Sequence, residues 1–247
     1  MPKESFIYGI RPVIEALKAG KEIDKILLQK GLRGEGFHQL FGYIKELDIP
    51  SQFVPAEKLN YLTKQNHQGV IAYISDISYQ KLEYLIPFVY EQGKVPLFLM
   101  LDRITDVRNL GAVARTAECA GVDGLLLPVK GSAQINAHAI KTSAGALYKM
   151  PVCRCATLKE SIIFMKNSGL KIYAATEKAV TDYTKVDFTV PMALVMGSEE
   201  DGISDEIIKI SDELIRIPLY GEIGSLNVSV AAGILLYEVL RQRTLGE

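Results

Sequence analysis

The sequence is short of the residues that mark several common protein classes. It has three cysteines in 247 residues, Cys119, Cys153 and Cys155. So few, and an odd number, argue against a disulfide-stapled secreted scaffold. Its three histidines, His38, His67 and His138, are scattered. A structural zinc site needs four Cys or His ligands at suitable spacing, so no metal is expected. The thiols read instead as reduced, partly buried side chains, with Cys153 and Cys155 on one face of a strand. No apolar run reaches the roughly 18 residues that cross a bilayer. The opening MPKESFIYGIRPVIEALKAG lacks the apolar core and cleavage site of a signal peptide. A cytoplasmic protein without a membrane partner is expected. Charge of one sign is missing too: 28 Lys and Arg against 29 Asp and Glu leave a net charge of −1. A protein that binds nucleic acid by charge alone is strongly basic. Near-neutrality leaves either a shaped, local RNA site or none. Finally, no G-x-G-x-x-G string occurs. Gly34 and Gly36 come nearest, but Gln39 stands where the third glycine belongs, which removes a conventional Rossmann-type methyltransferase or dehydrogenase.

What is present is an ordinary globular composition, 48% hydrophobic and 23% charged, long enough for one large or two modest domains. Residues 1–75 alternate short strand and helix patterns: FIYG, RPVIEALKAG closed by Gly20, KILLQ, GFHQLFGYIKEL, SQFVP and HQGVIAYIS. They predict a small α/β unit. Residues 76–94 read as a linker with a possible helix over Lys81–Glu91. From residue 95 to 247 the runs LFLML, GLLLP, KIYAAT and MALVMG are near-continuously apolar and separated by helical segments. That is the pattern of a parallel sheet with helices on both faces. A final helix is expected over Asn227–Arg243, with Val228, Ala231, Leu235 and Val239 on one stripe.

Three segments of the second part carry candidate chemistry. In LDRITDVRNLGAVARTAECAG (101–121), a strand runs into a polar loop and a helix starting near Asn109. Functional groups collect at such carboxyl ends of strands. Leu110, Val113, Ala114 and Ala117 form the apolar stripe. Arg115 lies about 140° away from Leu110, on a polar face that Arg108 shares if the helix reaches it. In LVMGSEEDGIS (194–204), Gly197 permits close approach to backbone and Glu199 stands at the strand end. In IPLYGEIGSLNVSVAAGILLYE (217–238), Ser225 and Asn227 present polar groups and free N–H groups where the last helix starts. Each segment alone has a plainer reading: Asn109 as an N-cap before two solvated arginines, an acidic turn leading to Ser204 as a cap, and a Ser/Asn helix cap.

Together and in this order, the segments resemble the three signature motifs of the SpoU (TrmH-like) family of RNA ribose 2'-O-methyltransferases, in the SPOUT class. N-x-G-A-x-x-R is matched by Asn109, Gly111, Ala112 and Arg115. G-x-E-x-x-G is matched by Gly197, Glu199 and Gly202. The third motif is matched by Ile217, Pro218, Gly221, Ser225, Leu226, Asn227, Val228, Ser229 and Val230. YGIRPVIEAL, HQGVIA (67–72) and SAQINA (132–137) extend the resemblance to members acting on a guanosine of bacterial 23S rRNA. The resemblance implies an L30-like RNA substrate-binding domain followed by a methyltransferase domain folded as a deep trefoil knot. It implies S-adenosylmethionine as cofactor, with Gly197, Ile217, Leu226, Ser225 and Asn227 binding it, and Asn109, Arg115 and Glu199 as catalytic residues. It implies a homodimer acting on RNA, either 23S rRNA or a ribosome precursor, with no DNA partner. A tRNA guanosine 2'-O-methyltransferase and a non-catalytic RNA-binding protein are the alternatives. A guanidinium does not give up its proton in a protein, so Arg115 is expected to grip RNA phosphate and steady developing charge rather than act as a base.

Overall fold

A computed structural model describes residues 6–244. The expected domain limits at residues 1 and 247, and the MPKES of the opening segment, lie outside the described residues. The chain divides into two compact units, one running to Ser78 and including Ile135–Ala137, the other made of Tyr79–Gln134 and His138 onward.

The first unit contains β1 (Phe6–Tyr8), α1 (Ile10–Lys18), β2 (Ile23–Gln29), α2 (Glu35–Glu46), β3 (Ser51–Val54), α3 (Ala56–Leu62) and β4 (Val70–Ile74). The sheet order is β1-β4-β2-β3, with only β2 and β3 parallel. Helix α1 forms because Val13, Ile14 and Leu17 recur on one face. It stops at Gly20, where Gly20 N–H donates to Leu17 O and Lys21 N–H to Ala16 O, both at 3.0 Å. Its apolar face joins Leu40 and Ile44 of α2 over Ile26, Leu28, Val70 and Ala72. Leu59 of α3 packs on Leu27, Val54 and Ile71, which alternate to the other face. Helix α3 was not foreseen: it is two turns long and buries a single residue fully, too little for a periodic signal.

The second unit contains β5 (Tyr79–Gln80), α4 (Leu82–Glu91), β6 (Leu97–Leu101), α5 (Val107–Cys119), β7 (Gly124–Pro128), α6 (Ala137–Thr142), α7 (Ala146–Lys149), β8 (Val152–Cys155), α8 (Leu158–Asn167), β9 (Lys171–Ala175), β10 (Thr181–Asp182), β11 (Met192–Met196), α9 (Asp205–Ile210), β12 (Glu213–Arg216) and α10 (Val228–Thr244). Residues 76–94, expected as a linker, carry β5 and α4. Strand β5 pairs with β8, and Leu82, Leu85, Ile86 and Val89 are buried in this unit's core at helical spacing.

Eight strands form one parallel sheet in the order β10-β12-β9-β11-β6-β7-β8-β5. Every residue of β6 and β11 is buried, as a central parallel strand covered on both faces requires. Phe98, Met100, Leu126, Cys153, Ile172, Ala174, Ala193 and Val195 pack on one side with α4 and α8. Their neighbours point to the opposite side, where α5 and α10 lie against each other. Cys153 is in the core and Cys155 packs beside it on the same face. Burial pushes the Cys153 thiol up to about 12, so it stays protonated. All three cysteines are free, and Cys119 is exposed.

The end of α10 is anchored by Arg243. Its guanidinium donates to Val95 O (2.6 Å), Val190 O (2.9 Å), Phe188 O (3.0 Å) and Pro96 O (3.1 Å). Those carbonyls precede β6 and β11, so one side chain ties the last helix to the amino ends of the two central strands. The opposite ends of β12, β9, β11 and β6, side by side in the sheet, release the loops that hold the candidate site.

Candidate active site

The loop after β6 begins with Asp102 and Arg103. Asp102 is 5% exposed, and its carboxylate accepts from Ser204 N–H at 2.7 Å. Arg103 adopts a left-handed backbone, φ 60°, which is costly for a non-glycine residue. Its guanidinium reaches Gly202 O at 3.0 Å and the Asp201 carboxylate at 3.3 Å. These two residues therefore tie the end of β6 to the loop after β11. Helix α5 is capped by Asp106, whose carboxylate accepts from Arg108 N–H (2.6 Å) and Asn109 N–H (3.4 Å). The helix thus starts two residues before Asn109, so the reading of Asn109 as a cap gives way and its side chain is free for the site. Arg108 folds back onto Asp106, at 2.8 Å, and this contact holds the carboxyl down to about 2. Gly111 lets α5 sit on α6: a Cβ there would stand 2.7 Å from Thr142 Cβ and 2.8 Å from Ala139 O.

After β11 the chain turns back on itself. Ser198 and Gly202 exchange N–H···O bonds of 3.1 and 3.0 Å. A Cβ on Gly197 would lie 2.2 Å from the Gly202 carbonyl carbon and 2.3 Å from Ile203 N. The close approach that demands glycine here is made by the chain's own backbone at Gly202 and Ile203. The turn leaves Glu199 exposed at its tip. Ser204 stands at the N-cap of α9 but makes no side-chain cap bond.

The third segment brings Asn227 between the first two. Its amide nitrogen donates to Asn109 Oδ1 at 3.1 Å and to the Glu199 carboxylate, while its oxygen accepts from Ser229 N–H (3.0 Å) and Ser229 Oγ (2.5 Å). Both amide hydrogens and both lone pairs are used. One asparagine caps α10 and joins all three segments.

Beside this junction lies a cavity whose walls include Met196, Ile215, Ile217, Leu226 and Leu235, with Gly197, Glu177 and Glu199 also lining it. Apolar walls with two carboxylates suit a flat, largely apolar ligand that carries positive charge. A second, more polar cavity of about 540 Å³ adjoins it, lined by Arg103, Asp106, Asn109 and Glu199 among others. The two cavities share Ser198, Glu199 and Val228.

Of the residues singled out from the sequence, Asn109, Glu199 and Asn227 are bonded together, and Gly197, Ile217, Leu226 and Glu199 line the first cavity. Ser225 is exposed and lines neither cavity. Arg115 is not brought in: it is exposed on α5, six residues from Asn109, which sets it about 120° around and about 9 Å along the helix. The sequence reading missed Asp102, Arg103, Asp106, Thr176 and Glu177. All stand in loops directly after β6 or β9, where the strand-end rule would have directed a search. Among the described residues no group of three or more His, Cys, Asp or Glu could hold a metal, and no helix is long and apolar enough to cross a membrane.

Residues 96–237 match the model of the SpoU rRNA methylase family, and residues 6–80 match a model described as RNA 2'-O ribose methyltransferase substrate binding. A putative TrmH family tRNA/rRNA methyltransferase of Bacillus subtilis is 34% identical over 242 residues, covering 98% of this chain and 97% of that protein. A counterpart in Staphylococcus saprophyticus is 35% identical over 241 residues, with the same coverage. Among solved structures, the SpoU methyltransferase AviRb from Streptomyces viridochromogenes, in complex with AdoMet, shares the fold with a TM-score of 0.63 at 23% identity, over 99% of this chain and 92% of that one. The TrmH/SpoU tRNA modifying enzyme of A. aeolicus is 33% identical with a TM-score of 0.57, over 67% of this chain and 85% of that one. The chain belongs to the SpoU rRNA methylase family of RNA methyltransferases, with that family's substrate-binding module ahead of its methylase domain.

Proposed function

We propose that this chain methylates the ribose 2'-hydroxyl of a guanosine in large-subunit (23S) rRNA, acting as a homodimer on the RNA or on a ribosome precursor. The observation that carries the site assignment is the bonding of Asn227 to both Asn109 and Glu199, which gathers the three motifs at one edge of the sheet.

The cofactor of the family is S-adenosylmethionine. The first cavity suits it: apolar walls would take the adenine ring, and the Glu177 and Glu199 carboxylates would favour a cation. When bound, it supplies a methyl group on a sulfonium, open to in-line attack by oxygen. Gly197, Ile217 and Leu226 would hold it by backbone groups and apolar contact, with Asn227 fixing the loop that carries Leu226. Ser225 would contribute backbone polar groups from the same loop. The ribose would enter the adjoining polar cavity. Asn109 and Glu199 would orient it there, and Arg115 would bind RNA phosphate and steady negative charge on the attacking oxygen. The proton would pass to phosphate or water.

Since Arg115 stands away from the Asn109–Asn227–Glu199 cluster of its own chain, its role is best served by a second copy. Val230 and Tyr237, seven residues apart on α10, are 51% and 54% exposed, an apolar stripe of the kind a partner helix covers. We propose the family's trefoil knot for the C-terminal loops as well. What supports rRNA over tRNA is that an rRNA methyltransferase of Sinorhizobium meliloti matches over 96% of this chain, whereas the A. aeolicus tRNA enzyme matches over 67%. The test is to offer deproteinised 23S rRNA, ribosome precursors and tRNA with labelled methyl donor. Methylation of an rRNA guanosine ribose is expected, and methylation of tRNA alone would establish the tRNA alternative.

A further inference from the structure

The first unit carries an aromatic row that its own core does not use up. On α2, Phe37, Phe41 and Lys45 follow at i, i+4 and i+8, so one strip of helix about 12 Å long holds two rings and a cation. Phe53 rises beside them from β3, the strand at the end of the sheet. Phe37 and Phe41 stack with centroids 5.5 Å apart and planes at 28°, and Phe53 leans on both at 6.5 and 6.3 Å. The Lys45 ammonium sits 5.0 Å from the centre of the Phe41 ring. Phe37 and Phe41 back onto the core, but Phe53 is 45% exposed, and Ser51 and Gln52 of the same strand are exposed with it. Phe53 is therefore the member of the aromatic row that the core leaves most open to a partner.

The charges nearby say what. Lys30, Arg33 and Lys45 are exposed and have no ion-pair partner among the described residues. Lys30 directly follows β2, its N–H donating to Val54 O at 2.9 Å, next to Phe53. Arg33 precedes the Gly34 N-cap of α2, one turn before Phe37. Cations therefore stand at both ends of the aromatic row. Rings flanked by unpaired cations are what an unpaired nucleic-acid strand needs, its bases stacking and its phosphates neutralised. A near-neutral chain can hold RNA this way because the charge is local.

We infer that an unpaired segment of the substrate RNA docks on this strip, its bases stacking on Phe53 and the Phe37–Phe41 pair and its phosphates meeting Lys45, Lys30 and Arg33. The inference rests on the RNA-methyltransferase reading of the chain and adds the place and the strandedness of the RNA it grips.

The test uses the full chain and a short single-stranded RNA carrying fluorescein at one end and 2-aminopurine within. Phe53→Ala is expected to weaken binding by about tenfold or more and to abolish 2-aminopurine quenching, whereas Phe53→Trp retains both. Phe53→Leu, which keeps apolar bulk without a π face, is expected to behave like Phe53→Ala and guards against loss by misfolding. The same sequence as a duplex is expected to bind more weakly. In turnover, the KM for RNA rises in Phe53→Ala while kcat and calorimetric affinity for S-adenosylmethionine hold. Unchanged RNA affinity in Phe53→Ala, or equal binding of duplex and single strand, overturns the inference. So does a change of oligomeric state in Phe53→Ala without loss of RNA affinity, which would make the strip a protein contact. A wild-type chain that binds and quenches the probe yet methylates no RNA supports the docking strip and sinks the methyltransferase reading instead.

Discussion

At the scale of single residues, Asn227 has the largest structural consequence, because its side chain is saturated by four bonds to three residues. Removing it with Asn227→Ala unties the loop bearing Leu226 from the other two segments. Cofactor affinity is expected to fall about tenfold, the cost of one or two hydrogen bonds, and calorimetry showing unchanged affinity would count against the role. Gly197 is constrained more severely. Gly197→Ala puts a methyl where the Gly202 and Ile203 backbone already lies, so the Glu199 turn must move, and cofactor binding should be lost along with several degrees of melting temperature. Arg115 is the opposite case, exposed and without an ion-pair partner among the described residues. Arg115→Ala should leave cofactor affinity within twofold and cut methyl transfer by roughly 100-fold or more; turnover at the wild-type rate would remove it from the mechanism. The sequence made these residues visible by type and spacing. It did not show that Asn227 is the link between them, because a hydrogen bond across 118 positions has no local signature.

At the scale of elements, strand and helix identity was legible where apolar periodicity was long. The runs LFLML and MALVMG became fully buried central strands. The final helix, expected over Asn227–Arg243, runs Val228–Thr244. What periodicity cannot carry is anchoring by polar side chains. Arg243 was read only as the last residue of that helix, yet it satisfies four carbonyls beside the central strands. Burial pushes its guanidinium's proton affinity down, but it remains protonated. Arg243→Met should cost about 1–3 kcal/mol in denaturant unfolding, since it takes the donor from the part-buried Phe188 and Val190 carbonyls. Arg243→Lys should restore only part, because an ammonium cannot span the same fork. The cap of α5 makes a pH-dependent claim. Asp106 is held near 2 in the folded chain against 3.8 ordinarily. Its contribution is therefore fully present above pH 3.8 and disappears only as the pH falls through about 2. A carboxyl resonance of Asp106 that titrates near 4 would contradict the observed Arg108 pairing.

At the scale of the whole molecule, the two-part organisation was legible because the hydrophobic pattern changes character between the halves. The first unit shows short strands with helices between them, and the second shows apolar runs covered on both faces. The boundary was harder to place. The linker reading included a helix over Lys81–Glu91, found as Leu82–Glu91, but Gly93 and Pro96 beyond it pointed to a connector, whereas Leu82, Leu85, Ile86 and Val89 bury it in the second unit's core. Association is the other property of this scale. The exposed Val230 and Tyr237 of α10 predict a dimer at micromolar concentration by sedimentation equilibrium, shifted toward monomer by Tyr237→Glu; a wild-type monomer would contradict it. After incubation with isotopically labelled S-adenosylmethionine and unmodified 23S rRNA, complete digestion to nucleosides and mass spectrometry should place the label in 2'-O-methylguanosine alone. Label on a nucleobase, or none on any ribose, would contradict the account.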